Sequence, residues 1–373
     1  MENKEKSSKF LKISIIYYTI VIAFVLVRVL SSLGVFNGIK SDITADLVST
    51  LIIQVGIMFL IPFCLYLAFF KKKPKQLFKD FGYKKISAKV VLICFGIGIL
   101  AFVVNCYVST FFSIVLSYIG FNPQYSGASS GYDTLPKFLY GVLSVAVMPA
   151  LFEEFTHRGL LLRGTSDSIG YKKALVLSSV LFGLMHLNIQ QFFYATLLGL
   201  LMGLVATITR SIWPSVIMHF CNNFINVFLS YSESTNLFGF SISGALNTIY
   251  GKSIILFFVI AILVLFLAVF GIFVLVKKLF IETGAKSYNS IMENIEGQIR
   301  DAGGVNMTDG EVITAFEKYV FPNMKSPKNL LDLYVADNGH YDELQLKYKI
   351  PMISCLVLGI LITVFTFIWG VIW

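Results

Sequence analysis

Three polar clusters interrupt stretches of this chain that are otherwise apolar: Phe152-Glu153-Glu154-Phe155-Thr156-His157-Arg158, Phe182-Gly183-Leu184-Met185-His186 and His219-Phe220-Cys221-Asn222-Asn223. Carboxylates and imidazoles accept and return protons near neutral pH, so this set suits general-base activation of water. On a helix Glu154 and Arg158 stand at i and i+4, the favourable orientation for an ion pair, while Glu153 points about 100° away from Glu154. One acid is thereby neutralised and the other is available, which makes Glu153 with His186 the expected base pair. His219 and Asn223 are also i and i+4, so their side chains point together and can donate to one developing negative oxygen. Plainer roles compete with these. The Glu154 to Arg158 pair also ties a bundle together, since breaking a buried ion pair is costly whatever its chemistry; Arg158 is placed among the supports. His157 reads as structural, and Cys221 as a small apolar core residue rather than a nucleophile.

The elements that must bring these residues together are read from composition. Of 373 residues 56% are hydrophobic and 14% charged, with mean hydropathy +0.77, against about 25% charged in a soluble domain. An ordinary soluble globular protein is excluded; the expected fold class is all-α, a polytopic transmembrane helical bundle. Spans of about 20 apolar residues fall near 13–36, 46–70, 90–119, 136–162, 173–187, 191–209, 213–231, 252–276 and 351–373, about nine in all. Ionisable groups at bilayer depth cost about 2.5–3.5 kcal/mol each on insertion scales, so those retained face the bundle interior and carry function. At 1.5 Å per helical residue, Glu153 lies roughly 15 Å from Arg163 and His186 roughly 21 Å from Lys172, with His219 and Asn223 roughly 14 and 20 Å from Arg210. One layer near mid-membrane holds them all. The fifth span is short and is expected to end inside the membrane at His186, beside a wet cavity that tolerates irregular backbone.

The net charge of +9 sits mainly in short Lys and Arg clusters bordering apolar runs, where positive charge retains loops in the cytoplasm; no nucleic-acid role follows from it. With the Lys-rich N-terminus inside, the loop from Lys71 to Lys85, the turn around Arg163, Lys172 and Lys173, Arg210, and Lys277-Lys278 are inside too. The stretch Gly120 to Pro136, the Glu233 loop and the C-terminal Trp373 then fall outside. The expected organisation is 1–87, two N-terminal transmembrane helices and a basic cytoplasmic loop; 88–231, a catalytic membrane core; 232–281, an external loop and eighth span; 282–350, a small, mainly helical cytoplasmic insertion; and 351–373, the last span. Within the insertion Thr308 and Glu311 have capping-box spacing, and Ser326-Pro327 resembles an N-cap with proline at the first helical position. The five cysteines, Cys64, Cys94, Cys106, Cys221 and Cys355, lack C-x-x-C spacing and are expected to be free, buried thiols.

At its polar clusters the sequence resembles the CPBP family of intramembrane endopeptidases, the CAAX proteases and bacteriocin-processing enzymes also called the Abi family. The family pattern of E-E-x-x-x-R, then F-x-x-x-H, then H-x-x-x-N or D is met by Glu153-Glu154 with Arg158, Phe182 with His186, and His219 with Asn223. The resemblance covers about residues 88 to 231 and leaves out the first two spans, the insertion and the last helix. It implies that Glu153 and His186 activate water, that His219 and Asn223 stabilise the oxyanion, and that Glu154 with Arg158 positions them. The favoured mechanism requires no cofactor; were a divalent metal such as zinc bound, Glu153, His186 and His219 would supply a three-ligand catalytic site.

The expected protein is therefore an integral, multi-pass hydrolase of the plasma (inner) membrane, cleaving a membrane-associated or lipidated peptide. Its partners are that peptide or protein substrate and the lipid bilayer, with no nucleic acid and nothing that specifies an oligomer. Two rivals use the same residues differently. A non-enzymatic self-immunity protein or transporter would employ the buried Glu and His groups as a proton relay, and a scaffold or regulator would act through the 282–350 insertion.

Overall fold

The structure, a computed structural model, describes residues 2–35, 42–121, 132–239, 241–301 and 344–372. Among these residues there are helices and no strands. Helix α1 is Glu2–Ser32, and α2 runs end to end through Asp42–Thr50, Leu51–Leu60 and Ile61–Phe70. A short α3, Pro74–Asp80, precedes α4, Ala88–Tyr118. Helix α5, Leu135–Ile169, is followed by α6, Tyr171–Leu184, α7, Ile189–Ile208, and α8, Trp213–Thr235. The chain continues through α9, Ile242–Lys252, and α10, Ile254–Asp301, and ends on α11, Leu346–Ile372.

Local sequence sets many of the starts. Prolines at the first turns of α3, α5 and α8 give up N–H groups that have no helical partner there. Ser87 accepts from the Val90 N–H to cap α4, and Asn188 from the Gln190 N–H to cap α7. Three stretches, Leu51–Leu60 in α2 and Val142–Val147 and Phe155–Leu162 in α5, take wider π-helical turns, a distortion that concentrates at functional sites. Two of them flank Glu153-Glu154 along α5.

Seven of the described helices, α1, α2, α4, α5, α7, α10 and α11, are long and apolar enough to cross a membrane. The other two expected spans fall on α6, whose 14 residues reach about 21 Å, and on α8, which carries His219, Asn222 and Asn223. Among the described residues each of the nine expected spans thus falls mainly on one helix. Two apolar clusters hold the bundle. In the first, α1, α2, α3, α5, α6 and α11 meet through Ile13, Tyr17, Ile57, Phe155, Leu181 and Cys355; in the second, α4, α6, α7, α8 and α10 meet through Ile97, Phe182, Met202 and Met218. Helix α6 is the wall between them, Leu181 facing one side and Phe182 the other.

The basic groups gather at one end. Lys9 pairs with Asp167, Lys12 donates to the Phe69 carbonyl at 3.1 Å, and Lys89 pairs with Glu282 at 2.6 Å. Arg163 donates to the Ala206 carbonyl at 3.3 Å, while the Ser211 hydroxyl and the Ile212 N–H reach the carbonyls of Lys84 and Gly82 at 2.7 and 2.9 Å.

Some boundaries differ from expectation. Helix α1 stops at Ser32, α5 runs on to Ile169, and α10 continues unbroken to Asp301, across the boundary expected near 282. Helices α3 and α9 were not anticipated, because seven and eleven residues are too few to establish a periodic pattern. Thr308, Glu311, Ser326 and Pro327 lie outside the described residues. All five cysteines are free, but only Cys94, Cys221 and Cys355 are buried; Cys64 and Cys106 are exposed on helices that cross the membrane, where a small apolar side chain suits lipid as well as protein.

Candidate active site

Glu154 is fully buried, and one of its oxygens, Oε1, takes two charged or polar donors: Arg158 Nη1 at 2.8 Å and His219 Nδ1 at 2.9 Å. The i, i+4 pair within α5 is thus extended to α8. Arg158 also donates through Nη2 to the Gly199 carbonyl on α7 at 3.0 Å, and its guanidinium lies 4.6 Å from the centre of the Phe182 ring on α6. Four helices are joined by this one arginine and its acid.

Glu153, the neighbouring acid, turns elsewhere. Its side chain is 17% exposed, and Oε2 stands 4.0 Å from His219 Nε2. Gln54 on α2 donates through Nε2 to Oε1 at 2.9 Å. The main-chain carbonyl of Glu153 accepts from His157 Nδ1 at 2.9 Å, which leaves His157 Nε2 as the acceptor for the Tyr17 hydroxyl of α1 at 3.2 Å. Both ring nitrogens of His157 are thus engaged, and what it holds is the backbone of the acid.

His186 sits at the break between α6 and α7. Its Nδ1 donates to the Phe182 carbonyl at 3.0 Å, so Nε2 carries the lone pair of the neutral ring. The next residue, Leu187, has φ of +51°, a left-handed conformation that ends the helix inside the bundle before Asn188 starts α7. No direct hydrogen bond joins His186 to Glu153. The Phe182 ring gathers the imidazoles, standing edge-on to His157, His186 and His219 at 5.1, 5.3 and 5.7 Å between ring centres.

Asn223 departs from the expected geometry. Its Nδ2 donates to the Val145 carbonyl at 2.8 Å, so its Oδ1 accepts from Asn222 at 3.0 Å, and Asn222 in turn accepts from Asn105 on α4 at 3.1 Å. This chain of amides ties α4, α8 and the second π-helical stretch, and one N–H of Asn223 is committed to it. His219 too has a constraint that spacing could not reveal. Glu154 only accepts, so His219 Nδ1 must carry a proton toward it; Nε2, facing Glu153, becomes a donor only when the ring is an imidazolium.

Gln54, Tyr17 and Asn105 were not anticipated. Their signal was faint but present: Gln54 is the polar side chain within the apolar run LIIQVGIMFLIPF, and Asn105 sits in the middle of α4. Among the described residues no three His, Cys, Asp or Glu side chains are placed to hold a metal ion.

A helical membrane bundle enclosing a carboxylate and imidazole site defines the class. Residues 135–225 match the family model described as Rce1-like, type II CAAX prenyl endopeptidase Rce1-like, a model of a family of proteases. The match is about a quarter of the chain, runs from the start of α5 into α8, and contains Glu153, Glu154, Arg158, His186, His219 and Asn223. No curated protein and no solved structure matches.

Proposed function

We propose that the protein is an intramembrane endopeptidase that hydrolyses a membrane-associated or lipidated peptide with water activated by Glu153. The observation that carries this reading is the division of labour between adjacent acids: Glu154 is fully buried with Oε1 held by Arg158 and His219, whereas Glu153 is partly exposed and keeps Oε2 turned toward His219 across 4.0 Å. Glu153 takes a proton from water as the water oxygen bonds to the scissile carbonyl carbon, with His186 Nε2 accepting the second O–H to orient the attack. His219 serves the oxyanion as imidazolium, its Nδ1–H on Glu154 at 2.9 Å. The proton held by Glu153 passes to the leaving amine as the C–N bond breaks. Asn223 contributes through its second N–H, with Val145 holding the first. No step is routed through a metal, and Glu153, His186 and His219, the set that would ligate a divalent ion such as zinc, are not placed together as a three-ligand site.

The gathering of basic residues at one end of the bundle supports a cytoplasmic N-terminus. The test of function is a mass-spectrometric comparison of new peptide termini in membranes expressing wild type or Glu153→Gln at matched levels. Termini confined to wild type are expected; identical profiles would overturn the reading.

A further inference from the structure

Gln54 lies on α2, well outside the segment matched to the protease family, and is 8% exposed in the middle of an apolar run. A carboxylate only accepts, so the 2.9 Å contact with Glu153 Oε1 fixes the Gln54 nitrogen as the donor and turns its Oε1 the other way. That Oε1 is buried and has no hydrogen-bond partner among the described residues. An acceptor stripped of water and left unpaired is costly, and this one sits a single amide away from the acid that faces the reaction space. Four residues further along the same face of α2, the Met58 carbonyl accepts from the Thr156 hydroxyl at 2.6 Å, which fixes the register of α2 on α5 and delivers Gln54 opposite Glu153.

We propose that Gln54 is a positioning residue of the active site, holding the Glu153 carboxylate through Nε2–H so that the second carboxylate oxygen stays turned toward His219. The inference rests on the hydrolase reading above. The terminal torsion of a glutamate is broad, so a fixed donor on one oxygen is what keeps the other, Oε2, aimed at His219 and the water.

The test uses full-length protein in detergent and a quenched peptide synthesised across a bond whose cleavage in cells requires Glu153. Gln54→Met fills the same space without polar atoms, and Gln54→Asn withdraws the amide by one methylene. Both are expected to lower kcat at least tenfold with KM near the wild-type value, and Gln54→Met is expected to melt as wild type does. Wild-type kcat and KM in a normally melting Gln54→Met would overturn the inference alone. Lowered melting with unchanged kcat per folded molecule in both variants would also overturn it, by assigning Gln54 to packing. If no bond requires Glu153, the hydrolase reading falls first and this inference with it.

Discussion

Glu154 Oε1 accepts from both Arg158 and His219, so the same oxygen secures the bundle and orients the imidazole. Arg158→Met would leave Glu154 a buried, uncompensated charge, and the expected loss is about 3–5 kcal/mol. Thermal unfolding in detergent reads it, and Glu154→Gln combined with Arg158→Met should recover part, because the stranded charge is gone. His186→Ala, which removes a ring hydrogen-bonded to the Phe182 carbonyl of its own helix, is expected to melt normally yet lose about 10²-fold or more in kcat on a peptide that wild type cleaves. These residues were legible because partners i and i+4 apart write their relation into the sequence. Gln54 was not: it meets Glu153 across 99 residues of chain, and a lone amide in an apolar run names no partner. The commitment of Asn223 to Val145 was equally hidden, since a backbone carbonyl leaves no mark on residue type.

Helix α6 is held on both faces, and small residues let its neighbours approach. A Cβ on Gly199 of α7 would stand 3.2 Å from the Ser179 backbone and 3.3 Å from Arg158 Nη2. Gly199→Ala should therefore push α7 off α6, at about 1–3 kcal/mol, and displace the arginine; melting temperature and peptide cleavage should fall together. At the basic end, Asp80 of α3 accepts from Lys72, Gln76 and Tyr66. Burial pushes its carboxyl up, but these three donors outweigh that and hold it below the ordinary carboxylate range. A lowered folded value means stability that is complete above the unfolded carboxylate range and lost as pH falls through the folded one. Asp80→Asn should accordingly melt below wild type at pH 7, with the gap closing under acid below that range; parallel melting curves across pH would contradict it. The spans themselves were readable from apolar length, and the break at His186 from the shortness of the fifth. Helix ends were less so: α10 passes its expected limit because amphipathic and membrane-crossing turns share one hydrogen-bond pattern, and only their solvent changes.

Across the whole molecule, the family match covers α5 to α8, yet α1, α2 and α11 build the first apolar cluster around it. Tyr17 and Gln54 carry that cluster to both ends of Glu153, its backbone and its carboxylate. With Lys75 on α3 at the basic end and Gly251 in the last turn of α9, single cysteines at these positions in a background freed of the native five should differ in labelling. An impermeant thiol reagent is expected to reach position 251 in intact cells and position 75 only after permeabilisation; the reverse would invert the proposed orientation. The unequal duties of the two adjacent acids also bear on inheritance. A gene copy released from the need to cleave can exchange Glu153 and still yield a membrane protein of the same shape, while exchange of Glu154 strands Arg158 and forfeits the protein. Retired copies of such a gene, kept as decoys or binding partners, would be recognisable by a Glu154 and Arg158 pair that has outlived its neighbour.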